Sequence, residues 1–465
     1  MPALNRLYNG LPVAMQNLAV SLAGWSARRR RFDRRFQELL AAAERRVDAG
    51  PDALAAYRDQ RVRGYVMHCA ATVPYWRRQF ARLQIDPREI RGLADLTALP
   101  VLTKVEVKEH RDEFYSDAWP ARRCEARGTG GTTGASLRFR ATPDAVREQW
   151  AVWWRYWRWH GIPLHQWCGY FVGIDVVPTA ADAPYWRENR SRRQRMFSIF
   201  HLRPDTLDQY VAELTRHPLP WLHGYPSVLA ILASHLLATG TRLATPPRWI
   251  TTGAENLLPH QVDLIERAFG PRPRQHYGLA EGVANLSECE HGRLHVDEDF
   301  AAVEFLRRDD GATALVGTNL ANPAFCLLRY DTGDLVETLP DSQCPCGRPG
   351  RLAARIDGRL EDAVLLPDGT RLGRLAHIFQ HLDCLREAQV HQHADGRITL
   401  RIAPRPGFGE PESQAVLAAA RRRLGPSIPL TIELVDRIVR GPNGKLRFVV
   451  SELTRSTAAI QEDRS

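Results

Sequence analysis

Between Phe36 and Val47 the chain reads FQELLAAAERRV, and Leu39, Leu40, Ala43 and Val47 return every three or four positions. That spacing gives one apolar face and one charged face, the signature of a packed helix. Good helix formers fill the segment, and residues 1–60 are expected to form a helical lead-in. A second helix is expected over REQWAVWWRYWRW (147–159), where Trp150, Trp153, Trp154 and Trp157 also keep helical spacing. Such a stripe more often fills a core than walls a substrate pocket. In PVLTKVEV (100–107), Thr103 and Glu106 have the spacing of a capping box, which puts Lys104 in the first turn of a helix in a structural role.

From about 165 to 335 short apolar runs alternate with helical patterns. RWITTGAEN (248–256) reads as strand then loop, LLPHQVDLIERAFG as a helix stopped by Gly270, and RPRQHYGLAEG (272–282) as strand then loop again. This alternation predicts an α/β fold with a largely parallel sheet whose ligands gather at the strand C-termini. After RYDTGDLV the chain is expected to be loop-rich to about residue 357, with Pro340, Pro345 and Pro349. A smaller α/β unit follows, with strands at DAVLL, EAQVHQH, RITLRIA and LTIELV and a helix near 412–424; LPDGTRLG reads as a hairpin turn. The domain boundary is placed near Asp357 and Gly358, giving domains 1–357 and 358–465.

Composition narrows the class. The chain has 465 residues and 44% hydrophobic content, enough for two or three cored domains. The most apolar stretch, GLPVAMQNLAVSLAGW (10–25), is interrupted by Gln16 and Asn17 and is too short to span a bilayer. No secretory signal is apparent, so a cytoplasmic protein is expected. Eight cysteines, six of them scattered and only Cys344 and Cys346 close together, fit a reducing compartment. The net charge of +10 is densest at RRRRFDRRF (28–36) and RSRRQRM (190–196), but no nucleic-acid-binding signature accompanies it. Nucleic acid is therefore not expected as a partner. Residues 10–36 are expected to pack on the protein body, with peripheral membrane contact as the alternative.

Candidate chemistry enters at GTGGTTGAS (128–136), which has the composition of a phosphate cradle. It is neither a Walker loop, since Ala135 stands where a lysine is needed, nor G-x-G-x-x-G, since Thr133 replaces the third glycine. SECEHGRLH (287–295) and CPCGR (344–348) bring Cys289, His295, Cys344 and Cys346 as donors suited to a closed tetrahedral Zn²⁺ site, with His291 a competing ligand and ordinary reduced cysteines the alternative. Among 63 basic residues only Lys104, Lys108 and Lys445 are lysines, and Lys445 lies in the glycine-flanked loop GPNGKLRF (441–448).

The glycine loop is followed in order by TTGAEN (251–256), YGLAEG (277–282), RYDTGDL (329–335), DGRLED (357–362) and GPNGKLRF. In this series the chain resembles the adenylate-forming superfamily of acyl-CoA synthetases, peptide adenylation domains and luciferases, and within it the phenylacetate-CoA ligase and CapK-like branch, whose members include proteins of capsular polysaccharide biosynthesis. The resemblance spans nearly the whole chain. It implies a large AMP-binding domain with a mobile C-terminal lid, and a ligase using ATP and Mg²⁺ to convert a carboxylic acid to an acyl-adenylate. It gives Thr129, Gly130, Gly131, Thr132, Thr133 and Gly134 to the β- and γ-phosphates. Gly253, Ala254 and Glu255 are given to adenine, and Tyr277 and Gly278 to the stretch stacking near the base. Glu281 is given to Mg²⁺, Asp334 to the ribose hydroxyls, and Arg359 to the position before the hinge. Lys445 is the lysine that bridges the attacking carboxylate and an α-phosphate oxygen, where a compact ammonium suits better than a planar guanidinium. The branch also carries a Cys/His element in the same two places as here.

One segment departs from the pattern. CoA-using members follow the hinge with a glycine and a valine–x–proline run; here the run is DAVLLPDGTRLGRLAHIF (362–379), and the hinge acid is either Glu361 or Asp362. The acyl acceptor is thus CoA or an amine such as an amino sugar or amino acid. The Trp-rich helix and WCGYFVGID (167–175) are candidates for an aromatic acid pocket or for core. The non-enzyme reading is a degenerate scaffold, against which Glu281, Asp334 and Lys445 together speak.

Overall fold

The computed structural model describes residues 7–128, 137–178, 181–309, 311–339, 344–359, 364–367, 371–372, 375–379, 382, 384–425, 428–441 and 445–453. Two compact units emerge: residues 1–21, 166–273 and 358–465 in one, and 22–165 with 274–357 in the other.

In the first unit five strands run in the order Trp249–Thr252, Trp221–Gly224, Cys168–Phe171, Gln194–Phe197 and Trp186–Asn189. The first three pairings are parallel and only the edge strand Trp186–Asn189 is antiparallel, as the alternating pattern predicted. The helices Leu207–Arg216, Pro226–Ala238 and Pro259–Phe269 belong to this unit. Phe171 and Phe197 stack at 4.4 Å in its core. Gly224 is dictated by that packing, because a Cβ there would lie 2.7 Å from the Cβ of Phe171. The helix stop at Gly270 holds too, with φ +100°.

Residues 358–465 carry a separate sheet in the order Leu430–Leu434, Ile398–Pro404, Leu385–Gln392 and Val449–Ser451, with the helix Glu410–Leu424. Val390, Leu400, Ile402, Val416 and Ala420 fill its core. Val364–Leu365 pairs with Arg371–Leu372, the two arms of the predicted hairpin.

The second unit corrects the expected parallel sheet. Its strands follow the order Ala301–Arg307, Thr313–Asn319, Tyr330–Thr338, Leu352–Arg359, Leu294–Val296, Asn285–Glu288 and Arg274–Gly278, and the pairings recorded among them are antiparallel. Short turns rather than helices join Ala301–Arg307 to Thr313–Asn319, Arg274–Gly278 to Asn285–Glu288, and Asn285–Glu288 to Leu294–Val296, and short turns can only reverse a chain. The region expected to be loop-rich up to residue 357 is also corrected: it contains the strand Leu352–Arg359. Prolines and glycines around 345–350 punctuate the connection, but the residues after them alternate well enough to pair.

The helical lead-in is present as Val13–Arg31, Arg34–Asp48 and Pro51–Thr72. Phe36, Leu40 and Ala43 supply the buried face of the second of these. Thr103 caps Lys104–Glu109 by accepting from the Glu106 amide at 3.2 Å. The reciprocal half of the capping box is not formed by Glu106, whose carboxylate accepts from the Tyr75 hydroxyl instead. No helix among the described residues is long and apolar enough to cross a membrane.

The Trp-rich helix, Pro143–Trp159, is anchored by a charge rather than by its indoles alone. Arg155 is fully buried and donates to Asp297 at 2.6 Å, to Asp299 at 2.8 and 3.0 Å, and to the Ala43 carbonyl at 3.0 Å. Burial pushes both carboxyls up. Asp299, which also meets Arg46 at 2.7 Å, is nevertheless held below the usual carboxylate range by its two arginines. At Asp297 burial outweighs the attraction of Arg155, the Asp299 carboxylate adds repulsion, and the carboxyl stays raised. Removing one member of such a cluster leaves uncompensated buried charge. Arg155→Met is therefore expected to cost about 3–5 kcal/mol, read from the urea midpoint by tryptophan fluorescence; a loss below about 1 kcal/mol would show that the two carboxylates do not need it.

Candidate active site and metal centre

The strand Trp249–Thr252 ends at Gly253, and Ala254 follows with φ +67°, a left-handed conformation that alanine adopts only under constraint. The turn aims Glu255 at the start of the helix Pro226–Ala238. Its Oε2 accepts from the Ser227 amide at 3.2 Å and the Ser227 hydroxyl at 2.6 Å, satisfying a first-turn donor that the helix itself cannot. The other oxygen, Oε1, accepts from the Leu446 amide at 2.8 Å. Lys445 is thus carried by a loop pinned to Glu255. The same loop is closed by Gly441 N–H donating to the Lys445 carbonyl at 3.0 Å. Arg440 adds a clamp, donating to the Ser227 hydroxyl at 2.7 Å and to Glu387 at 2.6 Å, with Glu255 3.7 Å away.

Within the second unit, the Tyr277 hydroxyl donates to Asp334 Oδ2 at 2.5 Å, joining two residues that lie far apart in sequence. Asp334 lies within the strand Tyr330–Thr338 at an irregularity in its pairing, where its amide donates to the Thr332 hydroxyl at 3.1 Å and Gly333 takes φ +74°. Gly278 is required because a Cβ would meet Asn285 Oδ1 at 2.7 Å. Next to Tyr277, burial against Trp153 and Tyr156 pushes the His276 imidazole down to about 4 and keeps it neutral. Glu281 is buried and lines a cavity with Arg127, Gln149, Asn319 and Asn322. Arg127 donates to Gln149 at 3.2 Å, and Gln149 donates to the Leu279 carbonyl at 2.9 Å. Asn319 holds the Glu281 carbonyl.

Thr129, Gly130, Gly131, Thr132, Thr133 and Gly134 lie outside the described residues, as do Glu361 and Asp362. The strands Glu125–Gly128 and Arg138–Ala141 that flank the glycine loop form an antiparallel hairpin, with Gly128 opposite Arg138. Arg359 ends the strand Leu352–Arg359.

Cys289, His295, Cys344 and Cys346 converge, with one ligand atom from each lying within 4.8 Å of all the others. Cys289 and Cys344 sulfurs are 3.6 Å apart, and Cys346 Sγ is 3.4 Å from His295 Nε2. A tetrahedral Zn²⁺ with ordinary bond lengths needs donor separations of about 3.5–3.8 Å. His295 Nδ1 is engaged by the Pro349 carbonyl at 3.0 Å, which leaves Nε2 for the cluster. His291 is exposed and outside the group.

Residues 367–452 match the family model of the CapK C-terminal domain. Protein CapK of Staphylococcus aureus is 23% identical over 458 residues, covering 97% of this chain and all of that one. The chain is thus similar to CapK over nearly its whole length. A phenylacetate-coenzyme A ligase of Thermus thermophilus is 26% identical over 351 residues, 67% of the CapK-like chain and 72% of the relative. Among solved structures, 2-hydroxyisobutyryl-CoA ligase in the postadenylation state with 2-HIB-AMP superposes with a TM-score of 0.66, at 16% identity over 88% of the CapK-like chain and 91% of the ligase. That likeness is one of fold.

Sequence reasoning missed Ser227, Arg440, Arg127 and Asn319 in this CapK-like protein. Arg440 and Arg127 each stand next to a motif that was noticed, one before GPNGKLRF and one before the glycine loop. Ser227 and Asn319 carry no local signal, because only the fold brings them to Glu255 and Glu281. Glu255→Ala is expected to free the Leu446 amide and raise hydrogen exchange across 441–448 by about tenfold or more, the size of one charge-assisted hydrogen bond. Unchanged exchange there would show that the loop is held by something else.

Proposed function

We propose that this protein activates a carboxylic acid with ATP, forming an acyl-adenylate and pyrophosphate, and then transfers the acyl group to CoA. The observation that carries the reading is the hydrogen bond from Leu446 to Glu255, which seats the loop of Lys445 against the segment Gly253–Glu255. The relatives named as phenylacetate-CoA ligases support the acid and the CoA. In the first step a carboxylate oxygen bonds to the α-phosphorus as the bond to the pyrophosphate oxygen breaks. Both reactants are anions, so the barrier is dominated by charge repulsion. Lys445 would offset it between the attacking carboxylate and the α-phosphate. Glu281, buried and beside Arg127, offers a hard oxygen for Mg²⁺, which when bound supplies charge neutralisation. Asp334, oriented by Tyr277, would accept from the ribose hydroxyls, and residues 358–465 would act as the lid.

A second reading sends the acyl group to an amine, such as an amino sugar or amino acid, in polysaccharide or secondary metabolite biosynthesis. It is favoured by the run 362–379, which lacks the valine–x–proline segment and pairs Val364–Leu365 with Arg371–Leu372. The capsular setting rests on the resemblance to the CapK-like branch, and the 23% identity to Protein CapK supports that resemblance.

ATP–pyrophosphate exchange against a panel of carboxylic acids tests the first step, and product analysis with CoA or amines separates the two acceptors. Lys445→Ala is expected to lower exchange by about a hundredfold or more while sparing acyl transfer from preformed adenylate. Full exchange in that variant would refute the assignment; no exchange with any acid would favour a scaffold.

We also assign Cys289, His295, Cys344 and Cys346 to a structural Zn²⁺, on the donor spacing described above. The purified protein should hold close to one zinc per chain by elemental analysis. Cys344→Ser is expected to lose it and to lower Tm by about 5 °C or more. A metal-free protein of undiminished stability would exclude the site.

A further inference from the structure

The helix Val13–Arg31 turns the polar side chains Gln16, Asn17 and Ser21 toward the protein. Gln16 is buried, receives a hydrogen bond from Arg187 and donates to the Leu11 carbonyl at 2.9 Å. Asn17 Oδ1 accepts from the Glu188 amide at 2.9 Å, Ser21 donates to the Glu188 carbonyl at 3.2 Å, and the Ser21 hydroxyl accepts from the Arg190 amide at 3.1 Å. The strand Trp186–Asn189 is the edge of its sheet, so these side chains satisfy backbone groups that a neighbouring strand would otherwise take. Val20 adds the apolar contact, packing against Val176, Val177 and Met196.

With the polar face committed inward, the apolar one faces out. Met15, Leu18, Leu22 and Trp25 are 50%, 59%, 59% and 50% exposed. Their spacing of three, four and three places them on one helical stripe, and Leu7 stands exposed just before it. Four positions further on is Arg29, whose guanidinium lies 4.3 Å from the Trp25 ring centroid. Arg28 and Arg30, also exposed, flank it. An aqueous surface does not favour such a stripe, and its composition differs from that of a protein interface bounded by both signs of charge. Aliphatic side chains, then a tryptophan, then arginines along one face match the layers of an anionic bilayer surface, from acyl chain to headgroup boundary to phosphate. There is no acidic residue between Val13 and Arg31 to oppose the approach.

We propose that this helix docks the protein on the surface of an anionic phospholipid membrane, inserting Met15, Leu18, Leu22 and Trp25 while Arg28, Arg29 and Arg30 meet phosphates. The docking is independent of the adenylation reading, since it uses none of the residues assigned to that chemistry.

Co-sedimentation with vesicles of phosphatidylcholine, alone or mixed with phosphatidylglycerol, tests it. The full-length protein is expected to bind the mixed vesicles and to release with salt. Leu18→Glu/Leu22→Glu should weaken partitioning at least tenfold, and Arg29→Glu/Arg30→Glu by about fivefold or more for each arginine lost. Both variants change only exposed side chains, and an unaltered Tm and pyrophosphate exchange rate would verify that they fold. Failure of the wild type to bind mixed vesicles, or equal binding by Leu18→Glu/Leu22→Glu, overturns the proposal. So does a wild-type dimer in solution that the leucine variant dissociates, because the stripe would then belong to a second copy of the chain.

Discussion

A single carboxylate ties together three distant segments of the first unit. Glu255 leaves a strained turn, caps the helix Pro226–Ala238 through Ser227, and holds the Leu446 amide with its second oxygen. A carboxylate has two oxygens and no donors, so it can join two backbone N–H groups from distant segments without leaving a hydrogen unpaired. The left-handed Ala254 follows from this double duty. The turn has to reach two targets at once, and the backbone conformation is the one that lets it.

A comparable division of labour is seen in the second unit, where the indole-rich helix does not rely on its indoles for position. Hydrophobic burial is non-directional and would tolerate rotation of the helix about its axis. Arg155, fixed between Asp297 and Asp299, does not. Trp153 then meets Asn285 at 2.9 Å, and Asn285 is one of the groups that crowd Gly278. Register of the helix and shape of the strand carrying Tyr277 are therefore set by the same buried ions.

Much of the fold was legible wherever local pattern and tertiary environment agree. The parallel strands of residues 168–252, the helix closed by Gly270 and the elements of the C-terminal sheet all follow from periodicity and turn residues. The antiparallel strands of residues 274–359 were misread because strand direction is a property of connections, and because Leu352–Arg359 follows a proline- and glycine-rich connection. The motifs carry no geometry of their own. Nothing in YGLAEG says that Tyr277 will orient Asp334, and the lone lysine of GPNGKLRF does not disclose the carboxylate that seats its loop. Residues 1–60 were read as a helical lead-in, yet the direction in which the helix Val13–Arg31 faces was not available from the sequence, because the sheet edge accepts its polar side chains.

That edge has a further consequence for how the molecule keeps to itself. An open outer strand is a template on which another chain can add, and proteins commonly blunt it with charge, a bulge or a short length. Here the blunting is done by two side chains, Asn17 and Ser21, that occupy the main-chain valences of Glu188 and Arg190 from outside the sheet. Shortening the chain past residue 21 would leave those valences bare, so the opening helix also serves as a stopper against runaway strand addition.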